Sequence, residues 1–289
     1  MDGIQVRHVP PSFRREPFMA APTTILITGA SSGFGKVTAA HLAAKGVRVV
    51  GTSRRASWPE DATANPILIP MDVCDDTSVE EGLAWIREHV GAVDVLLNNA
   101  GIGIAGAVED LTPDEAKAQF ETNFFGMHRL IRGLLPTMRE RGSGKIINVG
   151  SIAGEIAIPF QGFYSASKAA THALTAALRM ELRGTGVQAT VIEPGDFRTG
   201  FTDARQYAAA WEASAYQARA QTAVDVMAHD EQNGCDPMRF ARLVERLVRA
   251  DRLKPIYVTG PAPQKLARIL RNILPAGLFE RIIAGYYKT

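Results

Sequence analysis

The chain has 289 residues, 46% of them hydrophobic, with 32 lysines and arginines against 30 aspartates and glutamates. That length and apolar content support a sizeable core, and a net charge of +2 carries no nucleic-acid or acidic-partner signal. Two cysteines, Cys74 and Cys235, are too few for a disulfide framework, lack metal spacing and suit a reducing cytosol; the six histidines form no His-x-x-x-His pair, and no metal is expected.

Residues 1–22 hold several arginines and prolines and no apolar run long enough for a signal peptide, so a disordered tail is expected there. Met1 and Met19 are both candidate starts. No stretch reaches the ~20 apolar residues that span a bilayer.

The first predicted strand is the β-branched run 24–28. Gly29-Ala30-Ser31-Ser32-Gly33-Phe34-Gly35 follows, and a helical pattern runs from about Lys36 to Lys45. Strand, glycine turn and helix in that order can cradle a phosphate, because glycine permits close backbone approach and a helix N-terminus favours an anion. A turn with no ligand is the plainer alternative. The second strand, 47–52, ends at Ser53-Arg54-Arg55. In a βαβ unit this position meets the adenosine ribose. Two arginines and no acid there favour NADP(H) over NAD(H), with Arg54 the stronger candidate and a solvated charge pair the alternative.

Further strands are expected at 67–71, 93–98, 144–149, 187–193 and 255–258, with helices between them. Seven strands alternating with helices and no linker predict one α/β domain over 23–260, a doubly wound parallel sheet with helices on both faces. Ser151 follows the fifth strand, and Tyr164-Ser165-Ala166-Ser167-Lys168 opens an alanine-rich helical stretch. Tyr164 and Lys168 stand at i and i+4 and share a helix face. A cation beside a phenol lowers its pKa, and a hydroxyl such as Ser151 can hold a carbonyl or alcohol oxygen against it, which is equipment for proton transfer to oxygen.

Residues 203–233 read as helical and alanine-rich, with Tyr207, Trp211 and Tyr216 at intervals. From Pro263 to Lys288 the chain extends past the last strand. Leu266, Ile269, Leu270, Ile273 and Leu274 share one helical face, Lys265, Arg268 and Arg271 lie off it, and a second piece carries Phe279, Ile282 and Ile283. Packing of this 261–289 extension on the body or on a partner subunit is the expected arrangement, with attachment to a membrane surface the alternative.

Tyr-x-x-x-Lys downstream of Thr-Gly-x-x-x-Gly-x-Gly resembles the single-domain short-chain dehydrogenase/reductase family. More matches follow in family order, covering about Thr23 to Thr199 and more loosely to Val258. By that resemblance Asp72 and Val73 are the adenine contact, and Asn99, Ala100 and Gly101 belong to the Asn-Asn-Ala-Gly segment. Asn123 is the catalytic asparagine, and Pro194, Gly195 and Thr199 hold the nicotinamide carboxamide. The implied cofactor set is Gly29, Ser31, Ser32, Gly33, Phe34, Gly35, Arg54, Arg55 and those residues, together with Tyr164 and Lys168. The implied catalytic set is Ser151, Tyr164, Lys168 and Asn123, with Ser151 and Tyr164 touching substrate. Phe34 stands where the family most often has isoleucine or leucine. The segment 203–233, within a region at about 200–235, is implied to be the substrate lid.

The resemblance implies a cytoplasmic oxidoreductase that moves hydride between NADP(H) and a carbonyl or secondary alcohol, in a homo-oligomer. The extension and Asn123-Phe124-Phe125-Gly126 look like the hydroxysteroid and retinol dehydrogenase end of the family, which implies a lipophilic substrate. A 3-ketoacyl reductase and a non-catalytic NADP-binding sensor are the alternatives.

Overall fold

The computed structural model describes residues 23–289; the expected tail lies outside the described residues. Seven strands form one parallel sheet: β1 (Thr24–Ile27), β2 (Arg48–Ser53), β3 (Ile67–Pro70), β4 (Val95–Asn98), β6 (Gly144–Val149), β7 (Val187–Pro194) and β9 (Ile256–Thr259). Their spatial order is β3-β2-β1-β4-β6-β7-β9, so the strand order reverses between β1 and β4. Every pairing in this sheet is parallel. Each predicted strand is present, with ends moved by no more than two residues.

The sheet is buried on both faces because successive side chains on its strands point to opposite sides. Leu26 of β1 and Leu96 of β4 pack on one side with Val79, Leu83 and Ile86 of α2 (Asp76–His89) and Leu130 and Leu134 of α4 (Gly126–Arg141). Ile25, Ile27, Val95 and Leu97 face the other side. There they meet Leu42 of α1 (Gly33–Ala43) and Phe240, Val244 and Leu247 of α7 (Pro237–Arg249). Alternation therefore divides the core into two layers. Helix α5 (Gly162–Glu181) joins the first layer through Leu178.

Two elements depart from the expected pattern. The stretch 203–216 forms no α-helix and carries one short 3₁₀ turn, Trp211–Ala213. Its Gln206–Tyr207 strand, β8, pairs with β5 (Ile104–Ala105), and the amides of Gln206 and Ala208 donate to Gly103 O and Ala105 O, both at 2.9 Å. Those backbone pairs override the helix propensity of the alanines. The helix α6 starts only at Gln217 and runs to Gln232. Ala220 and Val224 of α6, with Trp211 and Ala105, form a small separate cluster. The second departure is a single π-helical turn at Glu121–Phe125, between α3 (Pro113–Phe120) and α4. The extension forms two helices, α8 (Ala262–Arg271) and α9 (Ala276–Tyr286).

Candidate active site

The carboxyl ends of β1, β4, β6 and β7 open on one rim, at the point where the strand order reverses, and ligands bind such sheets there. Gly29 leaves β1 with φ +66°, and Gly33 opens α1 with φ +50°. Both values favour glycine. Gly35 is held against the turn. A Cβ on it would lie 2.9 Å from Gly29 C and 2.7 Å from Asn99 Nδ2. Asn99 closes the other side, its Nδ2 donating to Thr28 O at 2.9 Å and to Gly29 O at 3.3 Å. Thr28 Oγ1 accepts from the amides of Asn99 and Ala100, which locks the end of β1 to the end of β4.

Ser32, the N-cap of α1, makes no side-chain capping bond, and the first turn has no acid. The cradle of close backbone and an uncapped helix start fits a dinucleotide diphosphate. Ser31 and Ser32 are exposed beside it, and Phe34 stacks on Phe240 at 4.2 Å between ring centres. Arg54 and Arg55 stand exposed at the end of β2 and take part in no ion pair among the described residues. Asp72 turns its carboxylate to the Cys74 amide at 3.0 Å, next to buried Val73. Pro194 and Gly195 leave β7 on the same rim. Thr199 lies under α1, 3.8 Å from where a Gly33 Cβ would stand.

Ser151 follows β6, and α5 presents Tyr164 and Lys168 to it. Lys168 is buried, with Nζ 5.8 Å from the Tyr164 ring centre and donating to Val149 O at 2.9 Å. Gly101 fits between Lys168 and Asn123: a Cβ there would lie 3.7 Å from Lys168 Nζ and 3.3 Å from Asn123 Oδ1. Asn123 sits on the π-turn. Its Oδ1 accepts from Ile102 N at 2.9 Å, and its Nδ2 donates to Ile102 O and Ser167 Oγ, both at 3.1 Å. The π-turn, a feature often found at functional sites, places that side chain between the Asn99 loop and α5.

The electrostatics differ from the expected ones. Tyr164 is pushed up to about 12, chiefly by burial; Ser151 beside it pulls the other way, Glu231 raises it further and Arg205 lowers it. The Lys168 ammonium donates to the Val149 carbonyl. Lys168 is itself drawn down to about 8 by burial. The phenol is therefore a neutral acid near pH 7, shifted up where a lowering was expected.

Several residues on this rim were missed by sequence reasoning. Phe201 stands 5.8 Å from Tyr164, ring centre to ring centre. Buried Arg205 pairs with Glu231 of α6 at 2.5 Å, fixing the loop over the tyrosine. Gln264 of α8 accepts from the Asp196 amide at 2.9 Å and donates to the Asp196 carboxylate, so the extension grips the loop after Gly195. Burial pushes Asp196 up to about 6. Arg268 of α8 enters a cluster with Glu155, His172 and Glu193. Its Nε is 2.7 Å from Glu193 Oε2, and its Nη2 is 3.6 Å from Glu155 Oε1. Burial drives His172 down to about 4, leaving it neutral. The guanidinium already supplies the positive charge that this acidic group would otherwise seek. No motif flags these contacts, because each joins residues far apart in the chain.

The family model for short chain dehydrogenases matches residues 23–210. This chain belongs to the short-chain dehydrogenase/reductase family. It is similar to a 3-ketodihydrosphingosine reductase of Bacteroides thetaiotaomicron, 38% identical over 92% of this chain and 98% of that one. A closed form of serine dehydrogenase complexed with NADP+ is 26% identical, with a TM-score of 0.71 over 83% of this chain and 96% of that one. A Burkholderia phymatum short-chain dehydrogenase/reductase in complex with NAD is 25% identical, with a TM-score of 0.72 over 87% and 95%. The chain is thus an oxidoreductase of carbonyl or alcohol groups, on a fold that binds a nicotinamide cofactor.

Proposed function

We propose that this enzyme reduces a lipophilic ketone to a secondary alcohol with NADPH. The observation that carries the reading is the half-buried Tyr164 phenol, which interacts with Ser151 and stands on the same helix as buried Lys168. An acid that keeps its proton at neutral pH is the group a developing alkoxide needs. The reduced nicotinamide, when bound, supplies the hydride. The chain does the rest: Ser151 Oγ holds the carbonyl oxygen, and Tyr164 passes its proton to that oxygen. Lys168 holds the nicotinamide ribose, and Asn123 anchors the route by which the proton is replaced. Phe201 over the tyrosine excludes water and offers an apolar wall.

The preference for the phosphorylated nicotinamide rests on Arg54 and Arg55 at the end of β2, which join no ion pair among the described residues. Support for a long-chain ketone comes from the apolar lid cluster and from the 3-ketodihydrosphingosine named for the Bacteroides relative. Two free, half-buried cysteines suit the cytosol. Among the described residues no helix is long and apolar enough to cross a membrane.

The test is NADPH consumption with long-chain ketones, steroids, retinoids and 3-ketoacyl esters by Tyr164→Phe beside the parent enzyme. Loss of the general acid should lower turnover by about 10²–10⁴-fold, while NADPH titration by fluorescence stays near the parent value. Retained turnover in the variant would remove Tyr164 from the chemistry. A parent enzyme that turns over 3-ketoacyl esters alone would replace the proposed substrate class.

A further inference from the structure

We propose that α8 and α9 dock this enzyme on the surface of a bilayer that contains anionic lipid. Each helix has two apolar edges. One edge packs inward, Leu270, Leu274, Phe279 and Ile283 meeting Ile152, Ile156 and Val258. The other faces away. Leu266, Ile269 and Ile273 follow one another at helical spacing on and just beyond α8. Leu278 and Ile282 do the same on α9, and all five are between 47% and 69% exposed. Single exposed apolar residues are ordinary; five at helical spacing on two adjoining helices are more than that.

The charges choose the occupant. Lys265, Arg271, Arg281 and Lys288 join no ion pair among the described residues, and Glu280 is the one acid between 261 and 289. Arg268 is excluded from this set because it is committed to Glu193. Apolar side chains flanked by free cations suit acyl chains beneath anionic headgroups. A second copy of this face would set the same four cations against each other in a symmetric contact, which opposes self-association. With 10 and 11 residues the helices are too short to cross a bilayer and long enough to lie in its interface.

The position has a consequence for the site. Ile152 adjoins Ser151, and Gln264 holds the loop after Gly195, so the covered edge of these helices, opposite the docking edge, borders the catalytic rim. The docking stands apart from the reaction proposed above and is read without turnover.

The experiment is co-sedimentation of the full chain with phosphatidylcholine vesicles, with and without phosphatidylglycerol, over a salt series. Binding should be at least ~10-fold tighter with phosphatidylglycerol and should weaken as salt rises. The triple substitution Leu266→Ser, Ile273→Ser, Ile282→Ser and the charge set Lys265→Glu, Arg271→Glu, Arg281→Glu should each abolish sedimentation. Both should keep the parent's circular dichroism and NADPH affinity. The salt series on the parent protein needs no variant, so a variant that misfolds leaves the proposal open to refutation. No sedimentation of the parent, equal binding to both vesicle types, or a parent oligomer that the serine variant breaks apart without lipid would each overturn it.

Discussion

Gly35→Ala tests whether the turn after β1 is a cofactor cradle built to the limit of backbone contact. The added Cβ would stand 2.7 Å from Asn99 Nδ2 and 2.9 Å from Gly29 C, distances at which backbone must move. Overpacking of this kind costs about 1–3 kcal/mol. Displacing Asn99 from Thr28 O costs roughly 1–2 kcal/mol more, since a polar group loses its partner. The sum, about 2–5 kcal/mol, corresponds to a fall in Tm of roughly 5–15 °C for a domain of this size. The same retreat of α1 moves its first amides away from the diphosphate, and misplacement by ~1 Å is enough to weaken binding at least ~10-fold. Differential scanning fluorimetry with and without NADPH measures both effects. Gly277→Ala is the control: among the described residues nothing lies within 4 Å of its added Cβ. It should leave NADPH binding unchanged and stabilise the protein by up to about 1 kcal/mol. If Gly35→Ala keeps the parent Tm and the parent NADPH affinity, the close approach of α1 to the turn is wrong.

Arg54→Asp should weaken NADPH by about 10–100-fold, the value of a charge-assisted contact, with little change for NADH; equal loss for both nucleotides would remove the 2′-phosphate role. For pH, burial draws Lys168 down to about 8 and pushes Tyr164 up to about 12. Both hold their protons below about 8, so kcat/KM for reduction should be level there and fall about tenfold per unit above it as Lys168 deprotonates. A profile that stays level to pH ~10 would show that the Lys168 charge is not required. Asn123→Ala should lower kcat by roughly 10–100-fold, because the variant frees Ile102 and Ser167 from their brace. Unchanged kcat would make the π-turn a matter of packing alone.

Local chemistry was enough for the sheet and for the position of the rim. The run 24–28 is apolar and β-branched whatever its surroundings, Gly29 and Gly33 mark a turn because other residues resist their φ, and Tyr164 and Lys168 share a face because a helix repeats every 3.6 residues. Each of these signals lies within a few residues of the chain. Tertiary structure decided what those signals could not contain. The alanines at 208–210 became a turn because Gln206 and Ala208 pair with β5. The Tyr164 proton is held by burial, a property of everything packed around the ring, while the lysine one turn away points to Val149. The extension's amphipathic pattern was plain, but only the packing of Leu270 and Phe279 on Ile152 and Ile156 showed which edge is covered and which is bare. Backbone preference is short-ranged and can be read along the chain; burial is a sum over distant neighbours and exists only once the chain has folded.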